Sequence, residues 1–146
     1  MLFAVGETTW AISTSAVEQT FYLDNITPIP LMPSAVVGLS NLYGEVIPIF
    51  NLAVLEQNIS LGEKSSNKRC IVIEQGEIKL ALLSDNIFSI IGLERKLLQK
   101  ESGNLCSFSL TYNEEYIKLL DVDKLLLKIR TTIREYLRRD SNSSNW

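Results

Sequence analysis

Short apolar runs that alternate with a period of two and break at single glycines constrain this chain more than any other feature. Phe3 and Val5 alternate with Ala4 before Gly6-Glu7, and Trp10 and Ile12 alternate with Ala11 after it. Successive side chains of an extended strand point to opposite faces, so this spacing buries one face while the glycine reverses the chain, as in a hairpin. The pattern recurs as Val36 to Leu42, Gly44, then Val46 to Leu52, and as Cys70 to Glu74, Gln75-Gly76-Glu77, then Ile78 to Leu83. Further strands are expected at 87–92, at 105–112 and, in EYIKLLD, at 115–121. ITPIP at 26–30 and Pro33 exclude a helix interior and read as an edge strand leading into a short turn or helix at 33–37. Pro48 is tolerable only where its missing N–H faces away from a ladder. A loop at 56–69, rich in Asn, Ser, Gly and Lys, separates two halves.

After the strands the period changes. Val122, Leu125, Leu126, Ile129, Ile133, Tyr136 and Leu137 repeat at spacings of three and four, the signature of one amphipathic helix. Asp121 is placed to cap it, and Arg138 and Arg139 stand at the end where the helix dipole favours positive charge. SNSSNW is expected to fray, so the chain reads as one mainly β domain over 1–139 with a flexible tail at 140–146. A length of 146 residues suits a single core without disulfides or metal.

Composition narrows function mainly by exclusion. Fourteen basic against seventeen acidic side chains leave a net charge of -3, which attracts neither nucleic acid nor anionic lipid. Cys70 and Cys106 lie far apart without CxxC spacing, as buried thiols in a reducing compartment would. The start, MLFAVGETTWAIS, has no basic leader region, and no run is long and apolar enough for a membrane span, so a cytoplasmic address is expected. The sequence has no histidine, which removes the commonest general base and metal ligand. Its glycines are isolated and form no phosphate-binding loop. Asp24, Glu45, Glu56 and Asp85 read as solvated surface acids. No catalytic residue, metal or cofactor is expected.

Two patterns remain open. At an offset of 70, Gly6-Glu7 falls on Gly76-Glu77, Ala11 on Ala81, Glu45 on Glu115 and Ile47 on Ile117, while Phe3, Trp10, Val17 and Phe50 fall on apolar Ile73, Leu80, Ile87 and Leu120. Either the halves are two copies of one β-unit, which would give two similar barrels packed together, or hairpin-rich segments agree by chance. Arg130, Arg134 and Arg138 form a basic stripe on the last helix, diluted by Glu135 and Asp140. It is either a solvated flank or a docking face for an acidic partner or membrane surface.

ITPIPLMPSAVVGLSNLYGEVIPIFNL, at 26–52, resembles the core signature of CheW-like domains: ITPVP, a short proline-led helix, GVINLRG, then VIPVIDL. FAVGETTWAISTSAVEQ at 3–19, IVIEQGEIKLALLSDNI at 71–87 and YIKLLDVDKLL are similar to that family's opening hairpin, middle hairpin, and closing strand and helix. The resemblance implies two SH3-like five-stranded β-barrels packed on a shared core, with a C-terminal amphipathic α-helix. It implies a non-catalytic cytoplasmic adaptor in chemotaxis, twitching motility or phototaxis, recruited to membrane-associated receptor arrays. The implied partners are the regulatory domain of a CheA-type histidine kinase and the helical tip of a methyl-accepting chemoreceptor. Receptor coupling in the family uses a valine, a glutamate, a glycine and the arginine of NLRG, which here fall on Val17, Gln19, Gly38 and Tyr43. Glutamate has become Gln19 and arginine Tyr43, Asn51 replaces the aspartate of VIDL, and Ala53 stands where a basic residue often follows. Those replacements remove any ion pair at both ends together and imply a less charged groove, suited to a divergent receptor. Taken structurally instead, Val17 is core filler, Gly38 a turn residue and Tyr43 a surface aromatic. The competing function is an SH3-like module binding a peptide or nucleic acid outside chemotaxis.

Overall fold

The computed structural model describes residues 1–57 and 68–143, with side chains for 1–56 and 68–139. Most of the 56–69 loop and residues 144–146 lie outside the described residues, as does the Asp140 side chain. In chain order the strands are β1 Leu2–Val5, β2 Thr8–Ala11, β3 Val17–Tyr22, β4 Val36–Leu42 and β5 Glu45–Asn51, followed by helix α1 Leu52–Gln57. Then come β6 Arg69–Gln75, β7 Ile78–Ser84, β8 Asn86–Ile87, β9 Gln99–Lys100, β10 Cys106–Tyr112, β11 Glu115–Leu120 and helix α2 Val122–Ser143. The protein is mainly β with a C-terminal helix, as expected. Its strands form a five-stranded sheet in the order β3-β6-β7-β5-β4 and a six-stranded sheet in the order β8-β1-β2-β11-β10-β9. Strand pairing closes neither sheet into a ring among the described residues.

The offset of 70 is a property of the fold. β4 and β5 (36–42, 45–51) superpose in number on β10 and β11 (106–112, 115–120), and α1 starts at 52 where α2 starts at 122. The ladders keep the same register: Ile49 pairs with Ala81 in parallel, and Leu119 pairs in parallel with Ala11. Val17 stands opposite Ile73, and Ile87 opposite Phe3. Even the register shift between Val36 and Gly38 returns between Cys106 and Phe108. Tyr43-Gly44 and Asn113-Glu114, all at positive φ, make the corresponding tight turns. Type I′ turns need two such residues because their twist matches that of the strands. Ladder register, register shift and helix start thus recur together at this offset. The units are interlocked, because hairpin β1–β2 completes the sheet of β10–β11 while hairpin β6–β7 completes that of β4–β5.

Interlocking explains the near-continuous apolar runs. Along β6, Ile71 and Ile73 enter the core between the sheets, with Phe3, Trp10, Phe50 and Leu82. The alternate residues Cys70 and Val72 pack on the other face with Ile47, Ile49 and Ala81. A smaller cluster of Leu2, Ala11, Leu110 and Ile117 does the same for the six-stranded sheet. Strands buried on both faces lose the clean polar alternation of a half-exposed sheet. Both cysteines are free and buried as expected, and burial pushes the Cys70 thiol up to about 12, which keeps it unreactive.

Several local expectations are corrected. ITPIP forms no edge strand; Thr27 alone bridges Leu39, because Pro28 and Pro30 have no N–H with which to extend the ladder. Of the turn or helix expected at 33–37, the turn forms. A turn there bonds the Val36 N–H to the Pro33 carbonyl and β4 begins at once. The strand expected at 87–92 ends at Ile87; Phe88 and Ser89 still exchange backbone bonds with Leu2, while the Phe88 and Ile90 side chains are exposed. β3 and α1 were not anticipated; α1 is capped by the Asn51 side chain, whose Oδ1 accepts from the N–H groups of Ala53 and Val54 at 3.0 and 3.3 Å. Asp121 caps α2 as expected, accepting from the Lys124 N–H at 3.2 Å. That helix continues to Ser143, so Arg138 and Arg139 do not occupy its last turn and the segment 140–143 is helical rather than tail. Pro48 lies opposite Leu39, one residue before the parallel ladder to β7 begins at Ile49.

Gly38 is required by a close approach, since a Cβ there would sit 2.6 Å from the Thr27 carbonyl oxygen. Gly44 has only a positive φ and open space around it. Gly38→Ala is therefore expected to lower unfolding free energy by about 2–3 kcal/mol in urea titrations, against about 1 kcal/mol for Gly44→Ala. Equal losses would show that the chain at 26–27 gives way freely.

Candidate functional site

β3 and β4 are the two outermost strands of the five-stranded sheet, so Val17 and Gln19 stand at one edge and Gly38 at the other. One cross-strand row joins them, running Gln19, Val72, Ala81, Ile49, Gly38. Val17 follows a 3-10 turn at Thr14–Ala16 and packs half-buried on the shared core. The Gln19 amide donates to Glu18 Oε1 at 2.9 Å. Tyr43 projects from the β4–β5 turn with 92% of its surface exposed, and Val46 (58%) and Ile78 (43%) are exposed on the adjoining strands. The four residues thus share a sheet without forming one contact cluster. Gln19 lies on the outer strand β3 and Tyr43 in the turn after the opposite outer strand β4, and they make no bond to each other.

The charge on the five-stranded sheet is gathered around Lys79 on β7. Its ammonium reaches Glu18 on β3 at 2.7 Å, Glu45 on β5 at 3.0 Å and Glu74 on β6 at 3.8 Å. One cation thus ties four strands together and leaves the cluster at net -2. Hydrogen bonds from Glu74, Lys79 and Gln19 pull the Glu18 carboxyl down to about 2. Its partner Glu74 is pushed up by the hydrogen bond to Glu18, against the attraction of Lys79. The Glu18 and Glu45 carboxylates hold Lys79 well above the usual ammonium range. Sequence gave no signal for this hub, because its members lie on four strands whose order only the fold sets. Of the acids read as solvated, Glu45 belongs to this hub, Glu56 bonds Lys118 at 2.5 Å, and Asp85 pairs with Lys68 while accepting from the Gly6 N–H at 2.6 Å. Only Asp24 is simply exposed.

A cavity of about 490 Å³ lies beside β2 and the segment 90–95, lined by Met1, Ile12, Thr14, Ile90, Leu93 and Leu119, with Arg95 at its rim. The N-terminal ammonium donates to the Ile12 carbonyl at 2.9 Å, and burial lowers its pKa. The 3-10 turn at Thr14–Ala16 runs from this cavity to Val17. The lining combines apolar and hydroxyl groups with two cations, the N-terminal ammonium and Arg95, and among the described residues it holds no carboxylate or thiol. No described helix is long and apolar enough to cross a membrane.

Two interlocked β-units that present edge strands, tight turns and an apolar cavity define a protein-binding scaffold. The model of the CheW-like domain matches residues 1–130, and the chain belongs to that family. It is similar to the chemotaxis protein CheW of Thermotoga maritima, at 26% identity over 91% of this chain and 89% of that one. The chemotaxis protein CheW of Treponema pallidum is 25% identical over 84% of this chain and 78% of its own length. The fold is also that of the scaffolding protein TtCheW from Thermoanaerobacter tengcongensis, with a TM-score of 0.75 and 20% identity over 83% and 82% of the two chains.

Lys79→Met leaves three carboxylates facing one another, which raises their pKa values in the folded state. A group raised on folding loses its stabilising effect as pH rises through the folded value, so the variant should become more stable on acidification from pH 7 to pH 5. In the parent the depressed Glu18 acts oppositely, its contribution being lost as pH falls from the unfolded value near 4.5 toward about 2. Thermal melts across this range test the difference; parallel pH profiles would show that Lys79 does not hold the cluster.

Proposed function

We propose that this chain is a non-catalytic cytoplasmic adaptor, coupling a methyl-accepting chemoreceptor to the regulatory domain of a CheA-type histidine kinase at membrane-associated arrays. The observation that carries this reading is the family match over residues 1–130, borne by the same two-sheet architecture. Val17, Gln19, Gly38 and Tyr43 form the receptor-side positions. An adaptor of this kind works by offering apolar surface with a polar rim, which fixes two partners at one distance and orientation without chemistry. The five-stranded sheet has both parts, with Tyr43, Val46 and Ile78 exposed beside the Lys79 hub.

With Tyr43 in the arginine's place and Gln19 in the glutamate's, the receptor tip meets an aromatic face and an amide. Its own surface is correspondingly less charged at those points, as suits a divergent system such as twitching motility or phototaxis. Glu18, directly before Gln19, keeps its charge but is committed to Lys79. The reading as an SH3-like module for peptide or nucleic acid draws no support from the acidic net charge.

Calorimetry with the kinase regulatory domain and a receptor-tip fragment from the same organism tests the proposal. The parent chain should bind both saturably. Tyr43→Arg should leave kinase binding unchanged while weakening receptor binding by roughly fivefold or more, about 1 kcal/mol. Absence of binding to any such kinase domain would overturn the adaptor reading, and an equal effect on both partners would remove Tyr43 from the receptor side.

A further inference from the structure

The internal duplication exposes a departure from symmetry. On the six-stranded side, the junction between sheet and helix is sealed: Lys118 on β11 pairs with Glu56 on α1 at 2.5 Å and lies over the Trp10 ring at 5.4 Å. Shifted by 70, Lys118 becomes Pro48, Glu56 becomes Leu126 and Trp10 becomes Leu80. On the five-stranded side those residues border an open apolar groove of about 220 Å³, with Phe50, Leu80 and Ile129 toward the shared core and Pro48, Leu126 and Ile78 around them. The fold can close this junction with an ion pair, and on one side it does so. On the other it leaves apolar surface with Lys79 and Arg130 beside it.

The apolar stripe of α2 continues from that groove. Ile129 is buried, Ile133 is half-buried, and Leu137 is 49% exposed. Alongside runs the basic stripe of Arg130, Arg134 and Arg138, all exposed and, among the described residues, without an ion pair. At 1.5 Å rise per residue the three span about 12 Å along the helix, and Glu135 points about 100° away from Arg134. We propose that this surface docks an acidic amphipathic helix of a partner protein, whose apolar side chains enter the Pro48–Leu126 groove while its carboxylates meet the three arginines. Glutamates spaced at i, i+4 and i+8 on such a helix share the pitch of the arginine stripe. The surface contains none of Val17, Gln19, Gly38 and Tyr43, although Ile78 and Lys79 border both it and the exposed face beside Tyr43.

Transplanting the seal supplies the test. Pro48→Lys combined with Leu126→Glu copies Lys118 and Glu56 into the groove, while Arg130→Ala, Arg134→Ala and Arg138→Ala remove the charge. A panel of helical peptides with leucines on one face and glutamates beside them is titrated against the full chain by fluorescence anisotropy, with lysine-for-glutamate versions as controls. The acidic peptides should bind, the seal should weaken binding roughly tenfold or more, and the triple alanine variant should weaken it and flatten its salt dependence. If the sealed double variant does not fold by circular dichroism, Leu126→Gln alone is read in the same way. The proposal is overturned if no acidic peptide binds below about 1 mM, or if the sealed or lysine versions bind equally well. It is likewise overturned if anionic phospholipid vesicles bind the stripe and peptides do not, or if the groove instead supports self-association that the seal abolishes.

Discussion

The two parallel joints between the halves are the constraint on which the rest of the structure depends. Ala11 pairs with Leu119 across 108 residues of sequence, and Ile49 with Ala81 across 32. Neither half can complete its sheet alone, because each takes its central hairpin from the other. Closing so long a loop costs configurational entropy that only the burial of the shared core returns. The large apolar side chains accordingly concentrate between the sheets, with Trp10, Phe3, Ile71, Ile73 and Leu82 almost wholly buried.

The two halves share one frame, and their surfaces differ within it. Lys79 has Thr9 as its counterpart; Thr9 donates to Glu115 at 2.6 Å as Lys79 does to Glu45, but only the lysine draws in two further carboxylates. Tyr43 occupies the left-handed turn position that Asn113 fills in the other unit, where a short amide side chain tolerates positive φ more readily. An exposed tyrosine held there turns a large ring to solvent at a sheet end. The two sides of the molecule therefore present different surfaces from one backbone plan, which an adaptor with unlike partners requires.

Much of the architecture was legible in the chain. Hairpins announced themselves through alternation around Gly6, Gly44 and Gly76, and α2 through its spacing of three and four, because both signals are local. β3 escaped notice because VEQTFY mixes polar with apolar residues at a half-exposed edge. The ITPIP segment misled for the opposite reason: its apolar residues suggest a strand, but its prolines withhold the donors that a strand needs. The candidate site positions entered through resemblance to a family motif, and nothing in their spacing placed Gln19 and Gly38 in one cross-strand row.

By itself the sequence determined the mainly β class and the C-terminal helix, since these follow from periodicity and turn chemistry within short windows, and it raised the 70-residue echo without deciding it. Only the tertiary structure decided that the units exchange hairpins, that Lys79 gathers acids from three other strands, and that one sheet–helix junction is sealed while the other stays open. Each of these depends on which strands become neighbours. Neighbourhood across a sheet is settled by burying the combined apolar surface of both halves, a global free-energy balance that no local pattern records.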